Sequence, residues 1–191
     1  MRKFLTLRNI LLFGGAFLAI LAFFIAFAAG VNGKYEIGNM SSAGLIMGQR
    51  TVSANGHTYT GTNVSMVFGD KRPVLAVIGV ILIILGGVLA PVAAIFLKKP
   101  WVKWVFVGVA VVILVGAIFV FCLKGSLINA IADAIIDAGD AGSTARSEII
   151  EIYTEAFADM HINAGAIFTG IFAILGALAI GSSQFVPDKK F

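Results

Sequence analysis

The chain has 191 residues, 59% of them hydrophobic and 13% charged, with a net charge of +4; ordinary soluble domains are about 45–50% apolar and about 25% charged. Apolar residues that fall in unbroken runs rather than helical stripes exclude a water-soluble globule, which has no interior to take them. The positive charge is not clustered with aromatics on a polar face, so nucleic acid is not the expected partner.

The first run without Asp, Glu, Lys or Arg extends from Ile10 to Val31. At a rise of about 1.5 Å per residue it is long enough to cross a hydrocarbon core of about 30 Å. Helix is the conformation expected, because a bilayer has no water to satisfy stray backbone groups. Arg2 and Lys3 ahead of an apolar stretch ending at Ala26-Phe27-Ala28 also have the form of a secretory leader. Leader cores are about 7–15 residues long, which favours a span here.

Residues 32–72 change character, with Gly, Ser, Thr and Asn dominant. Short alternating stretches at Thr51-Val52-Ser53, His57-Thr58-Tyr59-Thr60 and Val64-Ser65-Met66-Val67-Phe68 predict strands. Asn55-Gly56 suits a type I′ hairpin turn, in which both central residues need positive φ. Asn39-Met40-Ser41 and Asn63-Val64-Ser65 have the form of glycosylation acceptors.

The second uncharged run is Pro73 to Leu97, and the third apolar run, Trp101 to Leu123, carries only Lys103 near its start; the two are joined so closely that they must be antiparallel neighbours. Pro100 suits the first turn of the helix that follows. Trp101 and Trp104, beside Lys98, Lys99 and Lys103, are expected interface anchors, since indole is apolar but carries an N–H.

Residues 124–161 predict two amphipathic helices. Ser126 is the expected cap of the first, with Leu127, Ile128, Ile131, Ile135 and Ile136 on its apolar face and Gly139 at its end. Ser143 or Thr144 is the expected cap of the second. There Ile149, Ile152, Tyr153, Ala156, Phe157 and Met160 form one face, and Glu148, Glu151, Glu155 and Asp159 another. The fourth uncharged run is Ile162 to Gly181.

The fold class that follows is an all-α membrane protein, a single four-transmembrane-helix bundle over 1–191. Its spans are about 10–31, 73–97, 101–123 and 162–181. An extracytoplasmic cap is expected, built from a small antiparallel β-sheet in the first outer loop and a helical extension in the second. Eight basic residues and one acidic residue occupy the short segments, against six basic and nine acidic in the two long loops. That asymmetry places the termini in the cytoplasm, as a multi-pass protein of the plasma (cytoplasmic) membrane.

Small residues recur on three spans: Gly15, Ala19, Ala22 and Ala26 on the first; Gly79 and Gly86 on the second; Gly165, Thr169, Ala173, Ala177 and Gly181 on the fourth. Such stripes let helix backbones approach closely, the route to packing energy in lipid. A stripe left facing outward would dock another chain.

Seven carboxylates lie between Asp133 and Asp159, and Asp137 to Glu148 has the length of a Ca²⁺-binding EF-hand loop. Gly139 and Ala141 stand where two ligands are needed, so Asp137, Asp140 and Glu148 are candidate metal ligands only in part, and a solvated acidic face is expected. His57 and His161 lack zinc-site spacing. The lone Cys122 is expected to be a small packing residue. No nucleophile–base arrangement or phosphate loop is present, so neither catalysis nor a cofactor is expected. Apart from Lys103 at the boundary of the third, the spans carry no Asp, Glu, Lys, Arg or His, which disfavours a proton-coupled transporter.

Four spans, cytoplasmic ends, a strand-forming first outer loop containing Gly44-Leu45-Ile46, and a third span that continues outward resemble the claudin-like tetraspan membrane proteins. The resemblance is one of topology. The Trp and the two Cys of that family's first-loop signature are absent. It implies lateral assembly, or modulation of a partner membrane protein through the outer domain. The expected partners are the lipid bilayer and either another copy of the chain or another membrane protein. The alternative is a subunit of a channel or transporter, pore-forming as an oligomer or accessory to one.

Overall fold

A computed structural model describes residues 6–29, 31–37, 40–45, 50–54, 57–61, 74–96, 101–137, 145–156, 158, 161–162 and 164–186. Its elements in chain order are α1 (Leu7–Ala29), β1 (Asn32–Ile37), β2 (Met40–Leu45), β3 (Arg50–Ala54), β4 (His57–Gly61), α2 (Val74–Phe96), α3 (Val102–Phe121), α4 (Leu123–Asp137), α5 (Arg146–Ala156), β5 (His161–Ile162) and α6 (Ala164–Ser182). Four of these, α1, α2, α3 and α6, are long and apolar enough to cross a membrane. The protein is therefore a multi-pass membrane protein.

The helix boundaries differ from the uncharged runs for local reasons. α1 starts three residues before Ile10, because Thr6 closes its first turn. The Thr6 hydroxyl accepts from the Asn9 N–H at 3.3 Å and its carbonyl accepts from the Ile10 N–H at 3.0 Å, so Arg8 is carried inside the helix. α6 starts two residues after Ile162, because His161 and Ile162 pair with β1 instead. Ser126 is not a helix cap. Cys122 alone interrupts α3 and α4, and the Ser126 N–H donates to the Cys122 carbonyl at 3.1 Å, so helical bonding resumes at once and Ser126 is buried within α4.

The chain divides into two compact units. The first comprises Met1–Ile25, Ile78–Phe119 and Phe168–Phe191, the greater part of the four spanning helices. Its helix seams are set by glycine. A Cβ on Gly15 of α1 would lie 2.6 Å from the carbonyl oxygen of Gly176 on α6, and one on Gly176 would lie 2.7 Å from the carbonyl oxygen of Gly15. Gly116 of α3 stands equally close to the Gly79 carbonyl of α2, at 2.7 Å, while Gly87 of α2 faces Ala19 and Ile20 of α1. Gly86 faces Ile113, and Gly181 faces Ala110. These seams join α6 to α1, α1 to α2, α2 to α3 and α3 to α6, a closed ring in chain order.

Residue size is distributed accordingly. Ala16, Ala19, Ala22, Ala90, Ala117, Ala173 and Ala177 are buried, whereas Phe13, Phe17, Phe24, Phe96, Phe168 and Leu178 are exposed. An exterior of large hydrocarbon side chains over an interior rich in small residues, with Ile83, Phe106, Ile113 and Ile180 buried among them, is stable in lipid, where large apolar groups need no burial and close backbone approach supplies dispersion energy. At one end of this unit, Arg8 donates to the Gln184 side-chain oxygen at 3.2 Å. Gln184 donates to the Ser183 hydroxyl, which donates to the Ile180 carbonyl at 2.6 Å. The start of α1 and the end of α6 thus share one end of the unit, as four crossings require.

The second unit comprises Ala26–Val77 and Val120–Ile167. Its strands form a five-stranded antiparallel sheet in the order β4-β3-β2-β1-β5. β3 and β4 contain the alternating stretches at 51–53 and 57–60, and Ala54 pairs with His57, which leaves two residues to turn the chain. β1 also alternates, over Lys34-Tyr35-Glu36-Ile37, outside the stretches expected to be strands, whereas β2 and β5 carry no alternation that marks them. The stretch at 64–68, the turn residues Asn55 and Gly56, and the acceptors Asn39 and Asn63 lie outside the described residues.

The seam at Gly15 separates two outcomes for one substitution. We expect Gly15→Ala to destabilise the protein in detergent by about 1–3 kcal/mol through backbone overpacking. Gly14→Ala, whose Cβ would meet nothing within 4 Å, should leave the unfolding midpoint unchanged or slightly raised, since Ala is the better helix former. Unfolding of both variants in the same micelle checks this.

Candidate interaction surface

The surface of the second unit that presents the most chemistry is formed by α4 and α5. Along α4, Leu123, Leu127, Ala130 and the neighbouring Ser126 are buried, a three- and four-residue spacing that defines one inward stripe. That stripe has its cover within the unit, since α4 packs on α5, β1 and β5. Cys122, Gly125 and Asn129 are exposed, so Cys122 is not a packing residue, while Ile128 and Ala132 are buried beside that stripe. Ile136 is also exposed, at the end of the helix.

α5 opens on the Ala145 carbonyl, which accepts from the N–H groups of Glu148 at 3.0 Å and Ile149 at 3.2 Å. The expected caps Ser143 and Thr144 lie outside the described residues, as do Phe157 and Met160. Only part of the expected apolar face turns inward. Ile149 is buried, whereas Ile152 is 55% exposed. The inward side of α5 runs through Ile149, Ile150 and Tyr153, so Ile152 shares the outer side with Glu148, Glu151 and Glu155.

Arg146 fastens the two helices. Its Nε donates to Asp133 Oδ1 at 2.8 Å and its Nη2 donates to Asn129 Oδ1 at 3.0 Å. Asn129 in turn donates to the Gly125 carbonyl at 2.8 Å. The hydrogen bond to Asp133, then its negative charge, raise the guanidinium pKa further above its ordinary value. Asp133 also offsets the unfavourable placement of a cation at the start of α5, where the helix dipole favours Glu148. Lys124 donates to the Ala158 carbonyl at 2.8 Å, tying the start of α4 to the residues that follow α5.

Of the candidate metal ligands, Asp137 is exposed at the end of α4, Glu148 is exposed in the first turn of α5, and Asp140 lies outside the described residues. No group of three His, Cys, Asp or Glu able to hold a metal exists among the described residues. His161 is in β5 opposite Lys34, and His57 is in β4 opposite Ala54.

In the spans, Ala19, Ala22, Ala26, Gly165, Thr169, Ala173 and Ala177 are buried, and Gly15, Gly79, Gly86 and Gly181 lie on the seams described above. Gly87, Gly116 and Gly176 are further seam residues outside the small-residue stripes read from the sequence. Gly176 stands one residue off the four-residue repeat of α6, beside Ala177, and the three-residue step from Ala173 was the available signal. Trp101 and Trp104 are exposed, with the Lys103 ammonium 5.6 Å from the Trp104 ring centroid. No protein family matches the chain, and no curated protein matches it.

Arg146→Ala should leave overall stability almost unchanged, because the ion pair with Asp133 is solvent-exposed and screened. It should nevertheless speed hydrogen exchange across 146–156, with exchange elsewhere unchanged. Exchange measured by mass spectrometry on the two proteins checks this.

Proposed function

We propose that the protein is a non-enzymatic multi-pass membrane protein that assembles laterally, with another copy of itself or with a partner membrane protein, through an extracytoplasmic cap. The two long loops supply the sheet, α4 and α5, and the distribution of Lys and Arg supports placing them outside and the termini in the cytoplasm of a plasma membrane. The observation that carries the reading is the outer side of α5. There a large apolar residue, Ile152, stands exposed among Glu148, Glu151 and Glu155, although α5 packs on α4. An apolar residue rimmed by charge is the form of a protein contact. The topology resembles that of claudin-like tetraspan proteins, which supports lateral association as the mode of action.

Two measurements test it. In a Cys122→Ser background, a cysteine introduced as Glu151→Cys should react with an impermeant maleimide in intact cells, and one introduced as Lys190→Cys only after permeabilisation. The reverse pattern would overturn the orientation. In mild detergent the protein should sediment above the mass of one chain, or with a stoichiometric membrane partner, and Ile152→Lys should return it to a monomer. A lone monomer that takes no partner from native membranes would contradict the assembly.

A further inference from the structure

The first unit has an open groove of about 340 Å³ between α2 and α3, lined by Leu89, Val92, Ala93, Phe96, Val105 and Val109. All six lining side chains are hydrocarbon, so nothing in the groove can orient a polar ligand, and its volume lies within the range of about 300–1,000 Å³ of small-ligand clefts. Leu89 to Phe96 extends about 10 Å along α2, against a depth of about 15 Å for the hydrocarbon of one leaflet. The groove thus runs from the α2–α3 connection inward over most of one leaflet. That end is marked as an interface. Trp101 lies one helical turn before Val105 and Trp104 one residue before it, both exposed, and the Lys103 ammonium lies 5.6 Å from the Trp104 ring, about 3 Å along the axis from Val105. Lys98 and Lys99 belong, in sequence, to the five residues between the helices that form the groove's two walls.

We infer that this groove holds one acyl chain of an anionic phospholipid, whose phosphate lies at the level of Lys103. An apolar slot that ends at a cationic, Trp-bearing boundary is complementary to a molecule with a hydrocarbon tail and a negative head. A zwitterionic phospholipid fits the slot equally well, but the quaternary ammonium of its head offsets the attraction of its phosphate to the lysine. The inference requires the spans to lie in lipid. It requires neither the assembly proposed above nor any particular choice of cytoplasmic side.

Delipidated full-length protein in mild detergent, titrated with phosphatidylglycerol or with phosphatidylcholine of the same chains and read by native mass spectrometry, tests it. One phosphatidylglycerol per chain should be retained about tenfold more tightly than phosphatidylcholine, and Lys103→Gln, at an exposed position, should reduce that preference about fivefold. Val92→Trp, which fills the groove from a half-exposed rim position, should abolish retention of both lipids without changing the unfolding midpoint. Equal retention of the two lipids by the unsubstituted protein would overturn the inference. So would Val92→Trp binding phosphatidylglycerol as before, or a two-chain mass that only Val92→Trp reduces to one, which would give the groove to a second copy.

Discussion

The structure depends on backbone meeting backbone where helices cross. In hydrocarbon, a large apolar side chain gains little by turning inward, so helices associate by packing density and by whatever polar contacts they carry. Gly15 against Gly176 and Gly116 against Gly79 bring main-chain atoms to distances that a single methyl group would forbid. Phenylalanine and leucine are then free to occupy the outer surface, where lipid solvates them. The closed ring of α1, α2, α3 and α6 follows from this division of labour between small and large residues.

The four spans were legible because their signal is coarse. Freedom from charge over a bilayer's thickness needs no knowledge of neighbours, and only the ends shifted, at Thr6 and at Ile162, where a cap and a strand pairing took over. The seams were less legible. Stripes of Ala and Gly identify a helix as close-packing, but which glycine faces which carbonyl depends on the rotation of both helices; hence Gly116, Gly176 and Gly87 stood outside the stripes. In the second unit, alternation marked β3 and β4 and is present, over only four residues, in β1 at residues 34–37, whereas β2 is rich in Gly and Ser and carries no such pattern. Their pairing is a non-local property that a reading of one segment cannot supply.

The same limit applies to the α4–α5 pair. Periodicity put Ile149 and Ile152 on one apolar face, and in the folded unit only Ile149 is covered. Arg146 was read merely as one more loop charge, yet it joins Asp133 and Asn129 across the two helices. Those contacts span 13 and 17 residues of sequence, and nothing local announces them. The exposed isoleucine left over is the ground on which assembly through this surface is proposed, while the acidic residues around it form no metal-binding group among the described residues.

Lipid as the solvent of the four helices is the central claim, and backbone hydrogen exchange in lipid nanodiscs tests it most directly. The amides of α1, α2, α3 and α6 should remain unexchanged long after those of α5 have exchanged fully, because no water reaches helical backbone at membrane depth. Exchange of those four helices at the rate of α5 would contradict the account.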